Sequence, residues 1–583
     1  VEPVLSPIAQ EVLRARYLVK DAQGQPREDP AGMFRRVADR VARAELEFGS
    51  RKTAQAWAER FHELMASLAF LPNSPTLMNA GRRLGQLSAC FVLPVADSIQ
   101  SIFGSLRQAA LIQKSGGGTG FNFSNIRPAG DVVASTHGVS SGPLSFLRIY
   151  DLATDTIKQG GTRRGANMGL LRVSHPDILE FIRAKLRPGL SNFNLSVIVP
   201  DDFMAALDRD GEVTLINPRH GRAVGRLAAR AVFDELVAAA HACGEPGAVF
   251  IDRINQGNPT PLLGAIEATN PCGEQPLLAY ESCNLGSINL AAAAEPDGVD
   301  WSRLGLIVDQ AVRFLDNVIS VNRYPLPRIR RMTLSNRKIG LGVMGFADLL
   351  ITLGVPYTSE AAVEVAEEIM GFIRERARRA SVELGLERGS FPNFRGSVYE
   401  GRWPAMRNAT QTTIAPTGTL SLIAGVSSGI EPLFALALQR RVLEGQHSSQ
   451  IQPAFLAALK KAGADRPEII QEVARQGRAG RVPGVPEEVR RLFVTAHEVD
   501  WSWHLKIQAA FQRHTDNAVS KTVNLAEEAT PSDVAEAFRT AFELGLKGLT
   551  LYRHLSRPDQ VLSPGLEASD WPGCAWDDGC GSC

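Results

Sequence analysis

From about residue 170 to residue 350 the chain alternates short apolar runs with helical ones, and that alternation limits its fold more than any single motif. Leu195-Ser196-Val197-Ile198-Val199 and Ala248-Val249-Phe250-Ile251 have the length and β-branched content of buried strands, whereas 228–242 reads as a helix. Lys338-Ile339-Gly340-Leu341-Gly342-Val343-Met344-Gly345 is another buried strand, with glycine at points of close packing. Such alternation predicts an α/β architecture with parallel strands.

Length and composition narrow the function classes. A chain of 583 residues has room for a large core and, at about 100–200 residues per domain, for three or more units unless it forms a large barrel. A formal net charge of +1 with interspersed signs argues against a nucleic-acid or membrane binder. Neither a long apolar run nor a basic-then-apolar start is present, so no membrane span or signal peptide is expected. Seven cysteines are too few and too scattered for a secreted disulfide framework. A reducing, cytoplasmic setting is expected, with any disulfide transient and chemical.

Residues 1–70 read as helical, with helices opening near residue 31 and over 54–68, and are expected to be a cap without chemistry of their own. Leu71-Pro72-Asn73-Ser74-Pro75-Thr76-Leu77 is a loop of turn formers and hydroxyls, followed by a short buried strand around Cys90. Asp97-Ser98-Ile99 starts a helix that the run Lys114-Ser115-Gly116-Gly117-Gly118-Thr119-Gly120 ends. That run is not a Walker loop, because its lysine precedes the glycines. A second helix over 143–158 leads to Gln159-Gly160-Gly161-Thr162-Arg163-Arg164-Gly165, which suits either a clamp for an anion or base or a solvated turn. A long helix is predicted over 359–384, with Gly385 as its stop and Gly389 just beyond. Thr412-Thr413-Ile414-Ala415-Pro416-Thr417-Gly418-Thr419-Leu420-Ser421 turns from a β-branched run into a helix start, a good place for phosphate or a plain cap. Residues 441–500 read as a polar, loop-prone excursion, and 516–525 and 548–552 as late strands.

The strongest chemical signal is Asn270-Pro271-Cys272-Gly273-Glu274-Gln275, followed by Ser282-Cys283-Asn284. In an extended segment positions i, i+2 and i+4 share a face, so an amide, a thiol and a carboxylate could converge on one small substrate. Cys283 is close enough to return to the same pocket, and Cys90 is either a packed core thiol or its partner in a reducing pair. The tail carries Cys574 and ends Cys580-Gly581-Ser582-Cys583; three cysteines without histidine favour thiol exchange over zinc.

Together these motifs resemble the large catalytic subunit of ribonucleotide reductases over roughly 70–555. Asn-Pro-Cys-Gly-Glu-Gln, Ser-Pro-Thr, Gln-Gly-Gly-Thr-Arg-Arg-Gly-Ala-Asn, Pro-Thr-Gly-Thr-Leu-Ser and Asp-Asn-Ala-Val-Ser-Lys-Thr each resemble a family motif. The chain looks like class II, the adenosylcobalamin-dependent enzymes. The form of its Lys-Ser-Gly-Gly-Gly-Thr-Gly loop, the single Tyr552 before Arg553 and the terminal Cys-x-x-Cys all fit that class. The resemblance implies a ten-stranded α/β barrel of two five-stranded parallel halves with a central finger loop. On that reading 1–70 is an N-terminal helical region, 71–555 the barrel and 556–583 a redox-active tail.

It further implies that Cys272 becomes a thiyl radical, Glu274 acts as base, Asn270 hydrogen-bonds the ribose, and Cys90 and Cys283 supply two electrons. Cys580 and Cys583 would re-reduce that pair and be reduced by a thioredoxin-type partner. Ser74, Thr76, Ala89, Gly118, Pro416, Thr417, Gly418, Thr419 and Ser421 would form the substrate site for a ribonucleotide, more in keeping with a diphosphate. Asp97, Ser98 and Arg127 would bind a deoxynucleoside triphosphate effector between helices 98–114 and 143–158, which pair subunits in dimeric members. Lys158, Gln159, Arg163 and Arg164 would relay effector identity to base choice. No histidine ligand to cobalt, no other metal site and no on/off control by dATP are expected. The alternative is a class I large subunit that needs a separate radical-storing subunit.

Overall fold

A computed structural model describes residues 2–133, 137–157, 165–443, 446–556 and 562–565. Three capped helices lead the chain: α1 (Pro7–Arg16), α2 (Pro30–Ala42) and α3 (Arg51–Ala66). Ser6, Asp29 and Ser50 each accept a hydrogen bond from a first-turn backbone N–H, and prolines follow two of the caps. Met33, Phe34, Val37 and Val41 of α2 join Phe61 and Met65 of α3 in a core shared with the helix Trp301–Val321. Glu45, just after α2, anchors this region through buried pairs to Arg313 and Arg388 at 2.7 Å each. Arg388, Arg337 and Arg407 also surround the buried carboxylate of Asp316.

The strands are β1 (Phe70–Pro72), β2 (Cys90–Val92), β3 (Gly118–Asn122), β4 (Asn167–Arg172), β5 (Phe193–Val199), β6 (Gly247–Phe250), β7 (Ser282–Asn289), β8 (Ile339–Met344), β9 (Thr522–Leu525) and β10 (Gly548–Arg553). β2 to β6 lie in sequence order, each parallel to the next. β7 is parallel to β8, and β9 to β10. The gap between β8 and β9 is filled by 412–414, where Thr412 bridges Leu341 and Ile414 bridges Val519, both in parallel. The two parallel sets meet antiparallel at β2–β7 and at β6–β10, which closes the sheet. The expected ten-stranded barrel of two five-stranded halves is therefore present, with β1 added antiparallel along β7.

Between β6 and β7 the chain enters the barrel as a hairpin, Ala268–Thr269 pairing with Pro276–Leu277. Its tip touches both halves: Asn194 of β5 donates to the Pro271 carbonyl at 2.8 Å, and Thr413 to the Glu274 carbonyl at 2.8 Å. Glycine makes the passage possible. A Cβ on Gly120 of β3 would stand 1.6 Å from the Thr269 carbonyl oxygen, and one on Gly340 of β8 2.5 Å from the Gln275 amide.

The helices flanking the first half are α4 (Ile99–Gln113), α5 (Gly142–Thr156) and α6 (Ala229–Cys243), each within two residues of expectation. The helix α7 (Glu360–Arg388) runs past Gly385 and stops at Gly389. Gly385 lies inside it because the backbone of Met406 approaches to 2.9 Å of where its Cβ would be, so that glycine serves packing and not termination. The short helix α8 (Gly418–Ala424) follows the closing segment. Residues 441–500 are not loop-prone as expected: they hold the helices Pro453–Lys461, Pro467–Gln476 and Glu487–Leu492 around Phe455, Val473 and Phe493. Among the described residues no helix is long and apolar enough to cross a membrane.

Candidate active site

The finger tip is a tight turn and not the extended segment that period-two spacing suggested. Gly273 adopts φ +81°, its N–H donates to the Asn270 carbonyl at 3.1 Å, and the Gln275 N–H donates to Asn270 Oδ1 at 3.0 Å. The turn still gathers the expected groups. Asn270 Nδ2 donates to Cys90 Sγ at 3.1 Å, and that thiol lies 3.9 Å from Glu274 Oε1. Asn270, Glu274 and Cys90 are buried, whereas Cys272 is exposed at the tip.

Cys283 is the register partner of Cys90 across the β2–β7 junction, and the two are not joined in a disulfide. The Cys283 thiol donates to the carbonyls of Asn284 at 3.3 Å and Lys338 at 3.6 Å. Burial pushes its pKa well above the ordinary thiol value; the positive charge of Lys338 opposes this, and Glu281 and Glu274 add to it. Lys338 Nζ meets Glu281 Oε2 at 2.6 Å, and the Leu278 N–H donates to the same oxygen at 2.7 Å. Sequence reasoning missed this buried pair. Its trace was a lysine opening an otherwise apolar strand and a glutamate two residues before Cys283.

A cavity of about 280 Å³ opens over the finger. Asn270, Cys272, Glu274 and Cys90 line one part of it, and Ser74, Ala89 and Gly118 another. Pro416, Thr417, Gly418 and Thr419 complete the wall at the start of α8. Thr417 holds a left-handed φ of +54° and accepts the Gly429 N–H on its hydroxyl at 2.7 Å, which fixes this turn. Two expected substrate residues do not line the cavity: Thr76 donates to the Leu87 carbonyl at 3.0 Å, and the Ser421 hydroxyl faces that of Ser428 at 3.0 Å. The cavity is also lined by Arg16 and Tyr17, so the helical region expected to be a chemically idle cap reaches the site.

Asp97, Ser98 and Arg127 come together away from this cavity. Arg127 Nε meets Asp97 Oδ2 at 2.8 Å, and Ser98 caps α4 by accepting the Ser101 N–H at 3.2 Å. Lys158, Gln159, Arg163 and Arg164, and the tail cysteines Cys574, Cys580 and Cys583, lie outside the described residues.

A closed ten-stranded barrel with a hairpin inserted into it defines a class, the finger-loop α/β barrels. Matches to family models cover the helical region, as "Ribonucleotide reductase, all-alpha domain" over 4–85, and the barrel, as "Ribonucleotide reductase, barrel domain" over 88–552. The chain belongs to the ribonucleotide reductase large-chain family. It is 52% identical to the vitamin B12-dependent ribonucleoside-diphosphate reductase of Mycobacterium tuberculosis, over 96% of this chain and 81% of that one. It is 48% identical to the protein of the same name in Thermoplasma acidophilum, over 97% and 81%. The alpha subunit of the Actinobacillus ureae class Id ribonucleotide reductase shares the fold, with a TM-score of 0.77 at 24% identity over 94% of this chain and 97% of that one.

Proposed function

We propose that the chain is a vitamin B12-dependent ribonucleoside-diphosphate reductase, the activity named for relatives that share about half its residues. The observation that carries this is the meeting of Asn270 and Glu274 at Cys90, with Cys283 opposite and Cys272 open to the same cavity. The site suits adenosylcobalamin because the thiol to be reached, Cys272, stands exposed at the finger tip and lines the cavity. When bound, that cofactor supplies a carbon radical able to take hydrogen from a weak S–H bond.

Cys272, as a thiyl radical, removes the 3′ hydrogen of the ribose. Glu274 takes the 3′-hydroxyl proton and Asn270 hydrogen-bonds the ketone-like intermediate. Cys90 and Cys283 protonate the departing 2′ hydroxyl, which leaves as water, and surrender two electrons as they join in a disulfide. Cys272 then returns the 3′ hydrogen. The balance is ribonucleotide plus dithiol giving deoxyribonucleotide, disulfide and water. Cys580 and Cys583 reopen the disulfide by exchange and pass the electrons' debt to a thioredoxin-type partner.

The substrate phosphates rest against 416–419 and Ser74. A deoxynucleoside triphosphate binds near Asp97, Ser98 and Arg127 and acts through Lys158, Gln159, Arg163 and Arg164. Exposed Ile99, Phe103 and Leu111 on α4 and Leu152 on α5 support a homodimer paired through these helices. The test is turnover of the four ribonucleoside diphosphates with adenosylcobalamin and a dithiol, with and without each effector. Product with these components alone separates this reading from a large subunit needing a radical-storing partner. Cys272→Ser is expected to bind nucleotide and make no product; turnover by that variant would contradict the assignment.

A further inference from the structure

Among the described residues Arg16 is the only cationic side chain that lines the cavity, and Glu274 the only anionic one. Arg16 is the last residue of α1 and is exposed, and its guanidinium makes no ion pair or hydrogen bond with any described residue. Its place is fixed from both sides. The next residue, Tyr17, is buried, and its hydroxyl shares a 2.7 Å hydrogen bond with Ser74 Oγ. The Tyr17 carbonyl accepts from Arg82, and α1 packs against α8, whose leading turn also lines the cavity. An unpartnered guanidinium is thus held at the cavity mouth beside two hydroxyl-bearing segments.

A nucleoside diphosphate carries more negative charge than neutral hydroxyls and backbone amides can offset, and a guanidinium matches phosphate oxygens with paired donors. We propose that Arg16 clamps the terminal phosphate of the substrate, with Tyr17 as a positioning residue that holds Ser74 and the end of α1 in register. The inference rests on the nucleotide reading of the cavity. The terminal phosphate is assigned because Arg16 is exposed, whereas Asn270, Glu274 and Cys90, the groups proposed to meet the ribose, are buried. The helical region therefore helps select substrates by phosphate number.

The test compares Arg16→Ala, Arg16→Lys and, as a control on the same helix, Arg14→Ala in the full chain. Equilibrium binding of a nucleoside diphosphate and of its monophosphate is measured without cobalamin, followed by KM and kcat for the diphosphate with it. Arg16→Ala should weaken diphosphate binding and raise KM by about three- to tenfold, as for a partly solvated charge-assisted contact, leaving monophosphate affinity and the melting temperature alone. Arg16→Lys should recover part of the loss, and Arg14→Ala should match the parent chain. Equal weakening of both nucleotides, unchanged diphosphate affinity, or a change confined to the KM for cobalamin, whose own phosphodiester is the other candidate anion, would overturn the assignment. If the parent chain binds no nucleotide at all, the reading of the cavity fails first.

Discussion

Cys90 and Cys283 stand directly opposite one another where β2 crosses antiparallel to β7, so both side chains leave the same face of the sheet. This junction joins the two halves of the barrel, so the proposed electron-donating pair is split between them and held in register by backbone pairing. The finger then delivers Asn270 and Glu274 to Cys90 from inside.

The raised pKa of Cys283 has a consequence for its reactivity. A thiol held above the ordinary midpoint of 9.0 stays protonated as pH rises through that value, because burial disfavours the thiolate. At pH 9 a small alkylating reagent should label exposed Cys272 and leave Cys283 unmodified, as read by peptide mass spectrometry. Comparable labelling of both would show that Cys283 is not sealed from water.

Gly120→Ala tests the threading of the finger. A methyl group there would collide with the Thr269 carbonyl, which cannot retreat without moving the hairpin. Overpacking of this kind costs about 1–3 kcal/mol. The variant should melt earlier and lose turnover at least about tenfold, because the displaced groups are those the proposed chemistry uses. Parent-like turnover would mean that the hairpin's position is not critical.

The barrel was legible because strands buried on both faces are written as continuous apolar runs, as in 195–199 and 339–344. Its tenth segment, 412–414, was legible as a β-branched run but makes only bridges, and its Thr413 hydroxyl reaches the Glu274 carbonyl of the finger. The three helices within 441–500 were hidden by a polar composition, although Ile469, Ile470, Val473 and Ala474 form one buried face. The contacts that escaped entirely are those made by folding alone. Tyr17 and Ser74 are 57 residues apart, as are Glu281 and Lys338, and local pattern carries no information about either meeting.

Asp316 offers a test of the buried charges. Burial pushes its pKa up, and Arg337, Arg407 and Arg388 more than reverse this, leaving it at about 2 against an ordinary 3.8. Its contribution to stability is therefore complete above the ordinary value and disappears as pH falls toward 2. Asp316→Asn should cost about 3–5 kcal/mol at neutral pH by leaving arginines uncompensated, and the gap in melting temperature from the parent should narrow on acidification. An equal gap at all pH values would assign the loss to packing.

The tail role predicts a split between reductants. Cys583→Ser should make about one product per site with a thioredoxin-type reductant, yet keep turning over with a small dithiol that reaches the barrel directly. Multiple turnovers of that variant with the protein reductant alone would remove the tail from the pathway.

The most direct measurement is a single turnover without external reductant in a Cys580→Ser, Cys583→Ser chain loaded with adenosylcobalamin and a ribonucleoside diphosphate, followed by mass mapping of its disulfides. The account predicts one Cys90–Cys283 disulfide for each deoxynucleotide formed. Deoxynucleotide produced while Cys90 and Cys283 both remain free thiols would contradict it.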